Sequence, residues 1–345
     1  MKNELKKLWF KTKSKLSQLQ GDDPLMIAPY LSYANENEII IRGRVLENEG
    51  IVVKEEDGKW ENFVNSLKRM ESDEASNVKV TIEYDGTLYH CQTNEEGFFK
   101  ITIPRGRINR PSEKIQWIEA RLSLAHELSS QGKPISATVE ITVLAQQTKY
   151  AILTDIDDTI LESHVNSFLK LRLLYETFLK NVHTRLAFEN VGSVLQKITQ
   201  NEDKQQIHPI FYLSHSPWNL YELLLQFLNK NEIPKGPFFL RDFGYKRGRE
   251  KFEYENHKAL AIEHLMNFYS DLPFILIGDA TQHDADVYAD AFRKFPNRIL
   301  KIIIRATEKS SKNKHVRDVI AANPTAPIYL IQHSDEILTL TKDIR

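Results

Sequence analysis

The chain has 345 residues, a length that predicts two domains rather than one. Its 41% hydrophobic and 27% charged residues are typical of a globular protein and argue against a disordered one. A net charge of −1 gives no overall attraction to nucleic acid, so nucleic acid is not expected as a partner. The single cysteine, Cys91, excludes an internal disulfide. Without a secretory leader or an apolar run long enough to span a membrane, the sequence predicts a cytoplasmic protein.

Residues 1–24 predict a basic amphipathic helix. Leucines and Trp9 recur at spacings of three and four along one face, and six lysines stand against the single acidic residue Glu4 within residues 1–20. Such a helix could lie on an anionic membrane surface, which would give the protein a peripheral membrane contact through residues 1–20. It could equally dock on its own protein with the lysines in solvent.

Residues 25–146 predict a β-rich, sandwich-like module. Its short runs of β-branched and aromatic residues are EIIIRGRVL, VKVTIEYDG, FFKITIP and SATVEITVL, with one helix expected near residues 60–70. Asp85-Gly86 and the Asn94–Gly97 run predict tight turns between strands. No catalytic residue types cluster here, which favours a binding or scaffolding role.

Residues 147–345 predict an α/β domain with a doubly wound parallel sheet. Apolar strand-like runs alternate with helical stretches, a pattern typical of crossover units. The runs are Tyr150–Thr154, Pro209–Leu213, Pro237–Leu240, Pro273–Ile277, Ile299–Ile304 and Pro327–Ile331. Because ligands bind beyond the carboxyl ends of such strands, the residues that follow each run are the candidates for a functional site.

The first run leads into TDIDDTI, which places Asp155, Asp157 and Asp158 at a strand end. Three acids so close together require a cation, and Mg²⁺ is bound by carboxylate oxygens. Asp155 could attack phosphorus as a nucleophile, and Asp157 could protonate the leaving oxygen and later activate water. A solvated acidic turn is the alternative interpretation.

The second run ends in Ser214-His215-Ser216-Pro217-Trp218. Ser214 stands at the strand end, where its hydroxyl could hold a phosphate oxygen, whereas Ser216 before a proline predicts a helix N-cap. His215 could act as a general base, although a loop histidine with no evident partner is more often incidental.

Three further residues complete the candidate site. Lys258 could neutralise the charge of a phosphate and of a phosphorylated aspartate. The run FILI ends in Gly278-Asp279, and Asp279 suits a second metal ligand. Asp284, five residues later, could orient a metal-bound water from outside the ligand set.

This ordered set resembles the haloacid dehalogenase superfamily, and within it the phosphatidate phosphatases of the actin patch protein type. The segments that carry the resemblance are TDIDDTI, FYLSHSPWNLYELL, KGPFFLRDFG, the Lys258 segment and FILIGDATQHD, within residues 150–305. The resemblance implies Asp155 as nucleophile, Asp157 as general acid and base, and Ser214 and Lys258 as phosphate-binding residues. It also implies Mg²⁺ bound by Asp155, Asp279 and the main-chain carbonyl of Asp157.

The implied reaction is Mg²⁺-dependent hydrolysis of phosphatidic acid, a phospholipid substrate, to diacylglycerol and phosphate through an aspartyl phosphate. Two departures concern the substrate: the family's GDSGxxD is GDATQHD here, and its SNSPW is SHSPW. One alternative is a phosphatase of the same mechanism that acts on a soluble or protein phosphomonoester. Another is a non-catalytic scaffold that binds lipid or protein.

Overall fold

The computed structural model of the chain describes residues 25–47, 75–106, 113–125, 134–156, 190–241, 256–280 and 283–344. Three sequence predictions lie outside these residues: the amino-terminal helix 1–24, the helix near residues 60–70, and the acid Asp157. No helix among the described residues is long and apolar enough to cross a membrane.

Seven strands form the first sheet, in the order β4-β3-β6-β7-β1-β2-β5. They are β1 (Leu25–Ala34), β2 (Glu38–Glu47), β3 (Lys79–Tyr84), β4 (Thr87–Gln92), β5 (Phe98–Pro104), β6 (Gln116–Leu124) and β7 (Ser136–Val143). The four strands expected from the sequence are present as β2, β3, β5 and β7, while β1, β4 and β6 were not expected. The β-rich character is confirmed, with one hydrogen-bonded sheet where the sandwich prediction implied two.

Both predicted turns are present in this sheet. Asp85 and Gly86 have φ values of 49° and 70°, and they join β3 to β4 with Tyr84 opposite Thr87. Two consecutive positive φ angles define the turn whose twist matches a tight antiparallel hairpin. In the second turn, the Asn94 side chain accepts the backbone N–H groups of Glu96 and Phe98.

Six strands form the second sheet, in the order β10-β9-β8-β11-β12-β13, and all neighbouring pairs are parallel. They are β8 (Ala151–Asp155), β9 (Ile210–Pro217), β10 (Phe238–Arg241), β11 (Phe274–Asp279), β12 (Ile299–Arg305) and β13 (Ile328–Ile331). The six apolar runs found in the sequence are these six strands, so the parallel α/β sheet is confirmed.

The chain enters this sheet in its middle. After β8 it adds β9 and β10 on one side, then crosses over to add β11, β12 and β13 on the other side. Neighbouring strands β8 and β11 therefore mark the point where the strand order reverses. Ligands of open α/β sheets bind in the crevice that forms at the carboxyl ends of two such strands.

Helices connect the strands of the second sheet. They are α1 (Val191–Thr199), α2 (Tyr221–Lys230), α3 (His257–Phe268), α4 (Asp284–Lys294), α5 (Ser310–Ala322) and α6 (Glu336–Leu340), with a short 3₁₀ turn at Trp218–Leu220. Helix α4 has Asp284 and Asp286 in its first turn and Arg293 and Lys294 in its last. These charges complement the helix dipole, which favours anions at the start and cations at the end.

The described residues gather into two compact units. One comprises those of Arg42–Ile101 and Glu119–Val139 with the residues before Tyr30; the other comprises those of Tyr30–Ile41, Thr102–Ile118 and Glu140–Arg345. In the second unit, the core between sheet and helices contains Leu153, Phe211, Leu276, Leu265 and Tyr288, all buried. The division into residues 1–24, 25–146 and 147–345 stays a prediction.

Candidate active site

Two of the predicted aspartates end neighbouring strands. Asp155 is the last residue of β8 and Asp279 the last residue of β11, and both side chains are buried. The register pairs Thr154 with Ile277, so the two strands run side by side up to their acidic ends. The parallel pairing thus brings together two carboxylates that are separated by more than a hundred residues of sequence.

Asp284 joins this pair from the first turn of α4. Asp155, Asp279 and Asp284 each offer one carboxylate oxygen, and these three oxygens lie within 4.8 Å of one another. All three residues are buried, with at most 3% of each exposed. Carboxylates held this close and this deeply strongly favour the presence of positive charge among them.

Lys258, in the first turn of α3, supplies one positive charge. Its Nζ lies 3.2 Å from Asp155 Oδ1 and 2.6 Å from Asp284 Oδ1, and the side chain is 3% exposed. The lysine therefore bridges two of the three carboxylates. The sequence could not single it out among 46 basic residues except by its order in the motif set, and the structure brings it to the predicted site.

Asp284 holds both the lysine and the strand end. Its Oδ1 accepts from Lys258 Nζ, while its Oδ2 accepts the backbone N–H of Asp279 at 3.3 Å. Gly278 makes this approach possible: a Cβ atom there would lie 2.8 Å from Asp284 Cβ and 2.9 Å from Tyr288 Cε2, and closer still to Asp284 Oδ2. Only glycine lets helix α4 pack so closely on β11.

Tyr288, one turn further along α4, lies beneath the carboxylates. It is fully buried, and its hydroxyl donates to the carbonyl of Ile277 at 3.2 Å. Burial, together with the nearby charges of Asp284, Asp155 and Asp279, holds the pKa of Tyr288 well above its usual range. The phenol therefore stays neutral, as its donated hydrogen bond requires.

Ser214 follows the strand residue that pairs with Asp155. The register joins Asp155 to Leu213, and the buried Ser214 comes next along β9. Its Oγ accepts the backbone N–H of Ser216 at 2.8 Å. The predicted N-cap role of Ser216 is wrong, because β9 continues to Pro217 and the following turn has no side-chain cap.

Aromatic residues support the segment that follows Ser214. The ring of Tyr30 stacks on Trp218 with centroids 4.5 Å apart and lies the same distance from the ring of Tyr221. The Tyr221 hydroxyl accepts the backbone N–H of Leu31 at 2.7 Å. These partners are about 190 residues apart in sequence, and no local motif signals the contact.

Two other predicted residues, Asp157 and His215, are not shown to take part in the site. Asp157, with the carbonyl expected to bind metal, lies outside the described residues. His215 is half-buried near the end of β9 and gains no catalytic role from this position.

The donor set suits a magnesium ion. Three buried carboxylates lie together here, and Lys258 contacts two of them. Mg²⁺ prefers oxygen ligands and typically takes one or two carboxylates together with water and substrate phosphate. Asp155 and Asp279 end the neighbouring strands β8 and β11, whereas Asp284 accepts from Lys258 and from the Asp279 backbone N–H. The residues present thus match the predicted ligands Asp155 and Asp279, with Asp284 behind them.

The comparison with solved structures assigns neither a fold nor a function to this chain. One carbohydrate acetylesterase from Xanthomonas citri covers 87% of this chain and 75% of its own length, at 10% identity and a TM-score of 0.27. A β-glucuronidase from Bacteroides uniformis aligns with a TM-score of 0.25. Both scores are too low to indicate a shared fold.

Two known proteins are similar in sequence to this chain. Phosphatidate phosphatase APP1 of Saccharomyces cerevisiae is 26% identical over 212 residues, which cover 61% of this chain and 35% of the yeast protein. An uncharacterized protein of Schizosaccharomyces pombe is 24% identical over 74% of this chain and 42% of its own length. The chain thus spans well under half the length of either relative. Residues 150–306 match the family described as phosphatidate phosphatase APP1, catalytic domain. The resemblance to the phosphatidate phosphatases of the actin patch protein type is therefore confirmed for residues 150–306, which make up less than half of the chain.

Proposed function

We propose that the protein is a Mg²⁺-dependent phosphatidate phosphatase that hydrolyses phosphatidic acid through an aspartyl phosphate on Asp155. Its six-stranded sheet would then be the core of a haloacid dehalogenase-like domain. The observation that carries the proposal is the convergence of Asp155, Asp279, Asp284 and Lys258 at the reversal point of the sheet. The family match over residues 150–306 supports the substrate class.

In the first step, an Asp155 carboxylate oxygen attacks the phosphorus of the substrate. The bond between phosphorus and the diacylglycerol oxygen breaks, and Asp157 donates a proton to the departing oxygen. Asp155 is well placed for attack because it ends its strand and points into a site that β8 and β11 hold rigidly. Diacylglycerol leaves, and the phosphoryl group stays on Asp155.

In the second step, water attacks the phosphorus of the aspartyl phosphate. Asp157 takes the proton from this water, the bond from phosphorus to Asp155 breaks, and inorganic phosphate leaves. Lys258 Nζ, 3.2 Å from Asp155, offers positive charge to the oxygens of the transferring group in both steps. Bound Mg²⁺ would supply further compensation of phosphate charge, held by Asp155 and Asp279.

Asp284 acts in this scheme by positioning Lys258. Its Oδ1 accepts from the lysine Nζ at 2.6 Å. Ser214 would donate its hydroxyl to a phosphate oxygen, next to the strand residue that pairs with Asp155.

The decisive experiment measures phosphate release from phosphatidate vesicles by the full chain, with Mg²⁺ and with chelator. We expect Mg²⁺-dependent release, and trapping of acid-stable label should locate the phosphoryl group on Asp155. Asp155→Asn should lower kcat by about 10⁴-fold or more, since the nucleophile is lost. Asp318→Asn, an exposed aspartate on α5, is the matched control and should keep full activity.

A panel of soluble phosphomonoesters and a phosphopeptide separates the alternatives. Faster turnover of a soluble or protein phosphate than of phosphatidate would show that the chemistry is right and the substrate wrong. Absence of turnover on the whole panel by wild-type protein with Mg²⁺ would reject the catalytic proposal and favour a scaffold.

We also propose that residues 1–20 bring the enzyme to its lipid surface. The predicted basic, amphipathic character of this segment supports the contact. Deleting these residues should weaken cosedimentation with anionic vesicles while leaving hydrolysis of a detergent-dispersed substrate intact. Unchanged vesicle binding would reject the contact.

A further inference from the structure

A second group of potential metal ligands lies on the outside of helices α4 and α5. His283 precedes α4, Asp286 lies in its first turn, and His315 is on α5. Each offers one donor atom, and the three donors lie within 4.8 Å of one another. None belongs to the site described above.

Both imidazoles converge on a single carboxylate oxygen. His315 Nε2 lies 2.8 Å from Asp286 Oδ2, and His283 Nδ1 lies 3.7 Å from the same oxygen. A helix-to-helix hydrogen bond would need only the first of these contacts. The second histidine stands just beyond hydrogen-bond distance of the carboxylate, with the ring centroids of the two histidines 6.5 Å apart. The three donor atoms are therefore close enough together to bind one ion.

We propose that His283, Asp286 and His315 bind a transition-metal dication of the Zn²⁺ class. Two imidazole nitrogens and one carboxylate oxygen are the protein ligands of many three-ligand metal sites, with water at the remaining positions. Zn–N and Zn–O bonds of about 2.0–2.2 Å place neighbouring donors roughly 3–4 Å apart, close to the separations observed. Imidazole suits Zn²⁺, Co²⁺ or Ni²⁺, whereas Mg²⁺ prefers oxygen alone.

Access to the site is open. The side chains of His283, His315 and Asp286 are 81%, 48% and 42% exposed, so an ion can enter without any rearrangement of the core. An ion would be bound by the neutral His315 imidazole in the tautomer with its proton on Nδ1, because the Nε2 lone pair is then available as a ligand.

The site is distinct from the proposed catalytic ion and can be tested apart from it. The inner site offers three buried carboxylates and the outer site two exposed imidazoles, so the two differ in the kind of ion they prefer. His283 is also the chain neighbour of Asp284, which holds Lys258. The outer ion would thus fix the start of the helix that carries Asp284.

The test is a calorimetric titration of the full chain with Zn²⁺ in excess Mg²⁺, which occupies oxygen-only sites. We expect one Zn²⁺ per chain that Mg²⁺ does not displace, and a visible spectrum typical of nitrogen and oxygen ligands when Co²⁺ replaces Zn²⁺. His315→Gln and His283→Gln should each weaken this binding by roughly tenfold or more, because even residues that only support a ligand contribute about 10–100-fold.

His333→Gln is the matched control, since His333 is exposed and lies outside the cluster. It should bind Zn²⁺ as the wild type does. All variants should have unchanged thermal unfolding without metal, since the replaced side chains lie at the surface. Wild-type protein that binds no Zn²⁺ in excess Mg²⁺, or variants that bind it as tightly as wild type, would overturn the proposal whatever the phosphatase assay shows.

Discussion

The two sheets bury charge of opposite sign, and the difference separates a structural role from a chemical one. Among the described residues of the seven-stranded sheet, the buried charged side chains are Arg42 and Arg44. Arg44 donates to the carbonyl of Glu96 at 2.8 Å and lies over the ring of Phe98. Such contacts satisfy a buried guanidinium with local groups of the fold.

The six-stranded sheet instead has carboxylates clustered at the carboxyl ends of its central strands. Asp155, Asp279 and Asp284 lie close enough to repel one another, and Lys258 contacts two of them, Asp155 and Asp284. Mutual repulsion of this kind lowers the stability of the folded protein unless a cation offsets it. A buried charge paired with a local group of the fold indicates a structural role, whereas buried carboxylates that cluster at neighbouring strand ends indicate a site.

The largest effect on stability should come from removing the lysine. Lys258→Met leaves the buried carboxylates without their cation, so we expect a loss of about 3–5 kcal/mol in the free energy of unfolding without metal. Activity should fall by roughly 10³-fold, because charge compensation is lost as well. Arg44→Met in the other sheet should cost about 1–2 kcal/mol and leave kcat unchanged. Denaturant unfolding and the phosphatidate vesicle assay check both variants. A loss of activity in Arg44→Met as large as that in Lys258→Met would contradict the proposed difference between the two sheets.

Acid should destabilise the six-stranded sheet through His208. This buried imidazole stacks on Tyr150 at 3.8 Å, and burial, with a smaller contribution from Lys149, lowers its pKa from 6.5 to about 4. Below pH 6.5 the His208 imidazole of the unfolded chain binds a proton that the folded protein does not bind until about pH 4. The free energy of unfolding therefore falls as the pH is lowered, and it levels off near pH 4. Between pH 7 and pH 5 the loss should be about 2 kcal/mol.

His208→Phe keeps a ring against Tyr150 and removes the titrating group. Its free energy of unfolding should therefore depend less on pH between 7 and 5, whereas the exposed His333→Gln should behave as wild type. Equal pH dependence in wild type and His208→Phe would contradict the linkage.

Glycine replacements in the two sheets compare close packing with and without a site. Gly278→Ala forces a methyl group against Asp284 and Tyr288, and Gly43→Ala forces one to 2.8 Å from the Ala28 carbonyl. Each should cost about 1–3 kcal/mol from overpacking. Only Gly278→Ala should also lower kcat, because it displaces the residue that holds Lys258. A kcat loss in Gly43→Ala of the same size would remove the distinction.

The smallest effect should come from Tyr221→Phe. The change removes the acceptor of the Leu31 backbone N–H, and an unsatisfied buried donor costs about 1–2 kcal/mol. Thermal unfolding measures the loss, and Tyr329→Phe, on a half-buried strand position of β13, serves as the control. A melting temperature equal to that of wild type would show that this link to β1 contributes nothing.

Local patterns determined much of the fold. All six strands of the parallel sheet follow from continuous apolar runs, because a strand buried on both faces has no polar alternation. Strand β4 was missed because it is largely exposed and has few apolar residues that could show a periodic pattern. Strands β1 and β6 were also missed. The N-cap prediction at Ser216 failed because tertiary pairing with β10 extends β9 beyond the point where local chemistry favours a helix start.

The sequence by itself determined which residues could do chemistry: acids and a serine directly after apolar strands, and a lysine in order between them. Only the tertiary structure decided that Asp155 and Asp279 end adjacent strands, that Asp284 holds Lys258, and that Gly278 leaves room for that contact. The pairing of His283 and Asp286 with His315 was likewise invisible along the chain. The physical reason is that motifs record local backbone preferences, whereas electrostatic and packing interactions depend on distances that only the folded sheet and its helices fix.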